Sequence, residues 1–150
     1  MSPRALFRAL AIAEAVTWTG LITALILRAT LGLDAAVSVA GGIHGFVFLA
    51  YGATAVLVAV NQRWSLGVAV LAIASAVIPY ATVPTELWLA RTGRLDGDWR
   101  REATDDPRDA SLIDRLARWF IGHPFLLAAL IALAVAVLFT VLLVVGPPGR

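Results

Sequence analysis

The sequence predicts an all-α membrane protein with four transmembrane helices and a short amphipathic surface helix before the last one. Three observations lead there. The chain of 150 residues is 60% apolar and 15% charged, with a mean hydropathy of +0.85, whereas a soluble domain is about half apolar and a quarter charged. The apolar residues fall into four runs, each long enough for a bilayer core, which takes about 20 residues to cross as a helix. The charge is unevenly spread: seven arginines and seven acids lie between Arg91 and Arg118, so 14 of the 22 charged residues sit there and cancel.

This composition excludes an ordinary cytosolic globule and a disordered chain. The formal charge of +2 carries no clustered basic face, so no nucleic-acid partner is expected. With no cysteine, disulfides, thiolate metal sites and thiol nucleophiles are impossible.

The first run, Ala5 to Leu27, is interrupted by Arg8 and Glu14. It continues too far past Glu14 for a signal-peptide core and has no clean cleavage site, so it reads as a retained helix. Arg28, Gly32 and Asp34 form the turn after it. The second run, Ala35 to Val60, holds Gly41-Gly42-Ile43-His44-Gly45 and Tyr51-Gly52. The third, Trp64 to Leu89, carries Pro79 and Pro84, each removing a backbone donor and crowding the preceding turn, so this helix should bend or break there. Trp64 and Trp88 mark its ends, as interfacial aromatics do.

Arg91 to Arg118 reads as a water-exposed loop. Its last part, Ser111 to Phe120, has apolar residues at helical spacing and predicts a helix lying on the membrane surface, capped by Ser111 or Asp109. The fourth run, Pro124 to Val145, has no charge and Thr140 as its only polar side chain. Pro124 suits a first helical turn, and Pro147-Pro148 closes the run. The divisions are thus 1–90, a three-helix membrane domain; 91–122, a charged loop with the surface helix; and 123–150, the fourth helix and tail. Four spans put both termini on one side, together with Arg4, Arg8, Arg63 and Arg150, and put Arg28 and the seven arginines of the long loop on the other; counting arginines places the loop in the cytoplasm.

Glu14 is the one acid deep in an apolar run, where an ionisable group costs about 2.5–3.5 kcal/mol on insertion scales. It is either a proton, ion or ligand contact or a paired group that fixes helix packing. His44 lies among glycines. Gly41 and Gly45, with Gly52 further along, form a small face that admits another backbone, so His44 is either a hydrogen bond across a tight helix contact or a ligand or proton site. One histidine makes a poor zinc site, which needs three or four protein ligands; no metal and no cofactor are expected. Counting about 1.5 Å per residue from the ends of straight antiparallel helices places Glu14 level with Tyr51 at roughly 14 Å, and His44 level with Tyr80 at roughly 23 Å, with Trp18 between. Pro79 and Pro84 free backbone carbonyls, which Tyr80 and Thr82 are placed to satisfy; such breaks either bind ligands or merely shape packing. Glu86 near the helix end is placed to pair with Arg91. No catalytic set is present: no serine has a neighbouring histidine, and there is no phosphate loop and no HExxH. The expectation is that the chain is not an enzyme.

Ala13-Glu14-Ala15 with Trp18, Gly42-Ile43-His44-Gly45 with Phe48 and Tyr51, and Ile78-Pro79-Tyr80 with Glu86-Leu87-Trp88 resemble, in order and spacing, a family of short bacterial integral membrane proteins known as domain of unknown function thirty-eight seventeen. The resemblance covers about residues 5–95. It implies a three-helix domain of the bacterial plasma (inner) membrane, with Glu14, His44 and Pro79 at signature positions and no established activity. The charged loop and the fourth helix depart from that pattern.

Two functions remain open. One is a non-enzymatic membrane component or complex subunit, acting through helix association in the lipid bilayer as a homo-oligomer or with a membrane partner, with Glu14, His44 and Tyr80 as an internal polar network. The other is a small transporter or channel-like protein binding a proton, cation or small molecule at the same residues.

Overall fold

Ser2 and Pro3 start the first helix. In the computed structural model, which describes residues 1–145, the Ser2 hydroxyl accepts from the Ala5 N–H at 3.2 Å and Pro3 occupies the first helical turn, where its missing donor costs nothing. Helix α1 runs Pro3–Leu31 and stops at Gly32, whose φ of 69° is left-handed backbone that glycine adopts without penalty. Helix α2, Asp34–Asn61, follows a two-residue turn. Arg28 in the last turn of α1 pairs with Asp34 in the first turn of α2 at 2.9 Å, each charge suiting the helix end it occupies. The remaining helices are α3 (Leu66–Ala74), α4 (Thr82–Arg91), α5 (Leu112–Gly122) and α6 (Pro124–Val145). Among the described residues the regular structure is entirely helical. Pro147-Pro148, expected to close the last helix, lies outside the described residues.

Helices α1 and α2 are long and apolar enough to cross a membrane. A third crossing is available if α5 and α6, which meet at a 99° bend, are counted as one broken span. The expected third span, residues 64–89, is instead a helical hairpin. Helix α3 descends and gives way to a 3-10 turn at Ser75–Val77; the chain reverses around Pro79 and Tyr80, and α4 returns. Contacts along α1 mark the path. The Trp18 indole donates to the Ala76 carbonyl at 3.2 Å, the Thr82 hydroxyl to the Ala11 carbonyl at 2.9 Å, and Arg8 pairs with Glu86 at 3.0 Å. The hairpin closes where it opened: the Trp64 indole donates to the Arg94 carbonyl at 2.8 Å. Trp64 and Trp88 therefore mark one end of the molecule, not two.

The break falls where the prolines predict, but the two act differently. Pro79 sits in the non-helical turn. Pro84 is the third residue of α4, inside the first turn, where proline is tolerated. Tyr80 carries the turn at φ 67°, left-handed backbone that a tyrosine seldom adopts.

The hairpin brings the N-terminus, the α2–α3 turn and the charged loop to one end. The Trp99 indole donates to the Met1 carbonyl at 3.0 Å, and Arg4 lies 3.7 Å from Asp96. The expected topology, with the long loop opposite the N-terminus, is corrected by these contacts. The core lies beneath this end: Phe7 and Ala11 of α1, Tyr51, Ala55 and Val58 of α2, Ala72 and Ala76 of the hairpin, and Leu89 and Leu95.

The loop is not simply solvated. Asp109 is 2% exposed and accepts from the Thr104 hydroxyl at 2.6 Å, Arg100 at 2.7 Å and Arg63 at 2.9 Å, with Arg118 at 3.4 Å. Asn61 at the end of α2 donates to the Asp98 carbonyl at 3.1 Å and accepts from the Arg100 N–H at 2.8 Å. Ser111 caps α5, accepting from the Asp114 N–H at 3.1 Å; Asp109, the alternative cap, is the centre of this cluster instead. Helix α5 presents Leu112, Ile113, Leu116 and Trp119 outward, the apolar face expected of a surface helix.

Candidate functional site

Glu14 is fully buried against α2 and shares its site with His44, not Tyr51. The Thr17 hydroxyl, one turn along α1, lies 3.0 Å from His44 Nδ1, 3.0 Å from the Glu14 carbonyl and 3.4 Å from Glu14 Oε2. His44 Nδ1 stands 3.5 Å from Glu14 Oε2. With the proton on Nδ1, His44 donates to Thr17 Oγ1 while Thr17 gives its single hydroxyl proton to the Glu14 carbonyl, the shorter of its two contacts with Glu14. The Trp18 ring covers the imidazole at 4.5 Å between centroids, with Phe48 beyond at 6.2 Å. Glu14 Oε1 is buried with no hydrogen-bond partner among the described residues.

The depth estimate fails because the register is set elsewhere. Phe7 packs on Tyr51 at 5.3 Å. Phe7 is four residues into α1 and Tyr51 ten residues from the end of α2, so α2 overshoots the start of α1 by about six residues, roughly 9 Å. At the turn the offset is much the same: Phe7 is 24 residues from the end of α1 and Tyr51 is 17 residues from the start of α2, so the helices are level at neither end and equal counts from the ends do not give equal depth.

Tyr51 is fully buried next to Phe7, and its hydroxyl donates to the Ala72 carbonyl at 3.0 Å and meets Ser75 Oγ at 3.0 Å. The carbonyls at the hairpin break are thus satisfied by Trp18, Tyr51 and Ser75. Tyr80 and Thr82, expected in that role, reach α1 instead, Tyr80 through Thr19 at 3.3 Å and Thr82 through the Ala11 carbonyl. Tyr80 does not join His44. Pro79 is beside Tyr80 in the turn and, among the described residues, makes no hydrogen bond to Glu14 or His44. Glu86 is 3% exposed and pairs with Arg8, not Arg91. A Cβ added at Gly41, Gly45 or Gly52 would meet no atom within 4 Å, so among the described residues no helix packs closely against these glycines.

Thr17 and Ser75 were not singled out by sequence reasoning, and Arg8 and Asp109 entered it only as an interruption of the first run and as a candidate helix cap. Thr17 had a signal: three residues after Glu14, it shares its helix face. Outside the membrane-spanning segments, the two hydrogen bonds from Thr104 and the flanking Arg100 and Arg63 hold the Asp109 carboxyl down at about 2. The hydrogen bonds of Arg108, followed by that of Arg63, hold Asp106 well below the usual carboxylate range.

Long apolar helices enclosing one buried Glu–His pair, with nearly all other charge collected at one end, are the architecture of an integral membrane protein. Residues 4–91 match the family described as Domain of unknown function (DUF3817), and the chain belongs to that family. The match ends where α4 ends, so the family unit is α1, α2 and the hairpin. A Streptomyces coelicolor protein described as a membrane protein, SCO5905, is 38% identical over 91 residues, covering 59% of this chain and 11% of that protein. This chain therefore spans only a small part of the relative's length. No solved structure matches it.

Proposed function

We propose that the chain is a non-enzymatic component of a bacterial inner membrane, acting through helix association as a homo-oligomer or complex subunit, with the Glu14–Thr17–His44 network locking α1 to α2. It crosses the membrane through α1, α2 and α6, with residues 64–91 as a hairpin that enters and returns. Non-helical backbone at that depth requires its polar groups to be satisfied within the protein: Trp18, Tyr51 and Ser75 bond the Ala76 and Ala72 carbonyls, while the exposed tip, residues 77–80, makes its own turn bonds, such as the Ala81 N–H to the Ile78 carbonyl. The arginine-rich end is cytoplasmic: Arg4, Arg8, Arg63 and the loop arginines gather there, against Arg28 at the other end. The observation that carries the reading is Glu14 at 0% exposure, shared between the two longest helices.

Glu14→Gln and His44→Gln then lower the melting temperature and change the assembly seen on native gels, while proteoliposomes show no flux that depends on either residue. The orphaned Glu14 Oε1 supports a second reading, a small transporter or channel-like protein that takes up a proton or cation at this pair. That reading requires the opposite result: both variants stay folded and assembled but lose a pH-dependent flux present in the parent protein.

A further inference from the structure

A cavity of about 370 Å³ lies between α2 and the elbow of α5 and α6, away from the Glu14–His44 pair. Its long walls are one stripe of α2, from Phe46 to Leu57, and one stripe of α6, from Pro124 to Ile131, about 16 Å and 10 Å of helix respectively. Trp99 and Arg101 stand at the end nearest the charged loop, and no acidic side chain lines the space among the described residues.

Arg101 differs from the arginines around it. Arg63, Arg100 and Arg118 are held on Asp106, Asp109 and Asp114, whereas Arg101 makes no ion pair with any described residue. Arg101, an exposed residue with no ion pair among the described residues, therefore borders one end of an apolar slot. Helix α5 sets the level of that end. Its outward face of Leu112, Ile113, Leu116 and Trp119 is exposed by 46–69%, which places it in the headgroup layer, and its last turn also borders the cavity. The slot runs from headgroup level along α6 toward the hydrocarbon.

We propose that this cavity holds an acyl chain of an anionic phospholipid whose phosphate is bound by Arg101. The ligand's two parts match the two parts of the site, since basic pockets between membrane helices select anionic headgroups while the apolar walls accept any chain. A helix of a second copy would fill the walls but leave Arg101 without a counter-ion. The proposal rests on the membrane reading above and adds a ligand to it.

The test uses the full chain, stripped of lipid in detergent, with phosphatidylglycerol and phosphatidylcholine of identical chains added separately and bound lipid counted by native mass spectrometry. Phosphatidylglycerol should be retained in preference. Arg101→Gln should weaken it about fivefold, the worth of one arginine at a charged membrane surface, and leave phosphatidylcholine unchanged. Ala128→Phe, within the α6 wall, should reduce both lipids, and Arg115→Gln, on exposed α5 surface, neither. Equal retention of the two lipids overturns the proposal, as does a preference that survives in Arg101→Gln. So does a cysteine cross-link between copies at position 128 that forms equally well with lipid present. Alkaline carbonate extraction of native membranes separates the two levels. Protein released by carbonate refutes the membrane reading as well, whereas retained protein with no Arg101-dependent lipid refutes the lipid site alone.

Discussion

Arg8 and Glu86 show how a partly wet pair behaves at the edge of the apolar region. The Glu86 carboxylate is 3% exposed, while the Arg8 side chain is 46% exposed. Removing one partner of a fully buried pair costs about 3–5 kcal/mol; solvent screening at Arg8 reduces this to about 1–3 kcal/mol. Arg8→Gln should lower stability by that amount, and Arg8→Gln with Glu86→Gln should cost less than the two single changes added, measured as a thermal-melt double-mutant cycle. Trp18 has two duties, covering His44 with its ring and donating its indole N–H to the Ala76 carbonyl. Trp18→Phe keeps most of the first and removes the second, leaving a buried carbonyl unpaired at about 1–3 kcal/mol. Amide exchange should rise across residues 75–81 and stay unchanged at the α1–α2 turn.

The hairpin and the surface helix are held by different kinds of contact. The hairpin has few internal bonds at its tip and depends on side chains from α1 and α2. Its prolines made a break predictable; the return of α4 alongside α3 was not predictable, because a bend and a reversal need the same residues at the break. What decides between them is Thr82 on Ala11 and Glu86 on Arg8, contacts separated by more than 70 residues. Helix α5, by contrast, was legible almost to the residue, since its cap and its apolar spacing are local. Ser111→Ala should cost it about 1 kcal/mol, seen as faster amide exchange over residues 112–116.

Across the whole molecule the charged loop is docked, and Asp109 is its anchor. Its carboxyl is depressed to about 2 from an unfolded value near 3.8, so the unfolded chain takes up its proton first as pH falls. The stabilisation is complete above about pH 4 and is lost as pH falls toward 2. Pepsin cleavage within residues 98–118 should therefore rise across that window. Asp109→Asn should expose the loop arginines to trypsin already at neutral pH. The topology has its own test. The chain lacks cysteine, so single cysteines report cleanly. Cysteines at Ser2, Arg63 and Glu102 should label from one face of the membrane and one at Gly32 from the other, whereas four simple spans would put Glu102 opposite Ser2.

The sequence by itself determined that this is a helical membrane protein, where its apolar runs lie, which run is interrupted, and that Glu14 is the acid composition does not explain. These follow from hydropathy, proline chemistry and capping, all of which act within a few residues. Only the tertiary structure decided that Glu14 meets His44 through Thr17, that Tyr51 and Trp18 close the hairpin break, and that Asp109 sits at the centre of an arginine cluster. Those depend on helix register and on a chain reversal. Register is set by side-chain packing between the helices, such as Phe7 on Tyr51, and reversal by contacts far apart in sequence, so neither is written in the local pattern of residues.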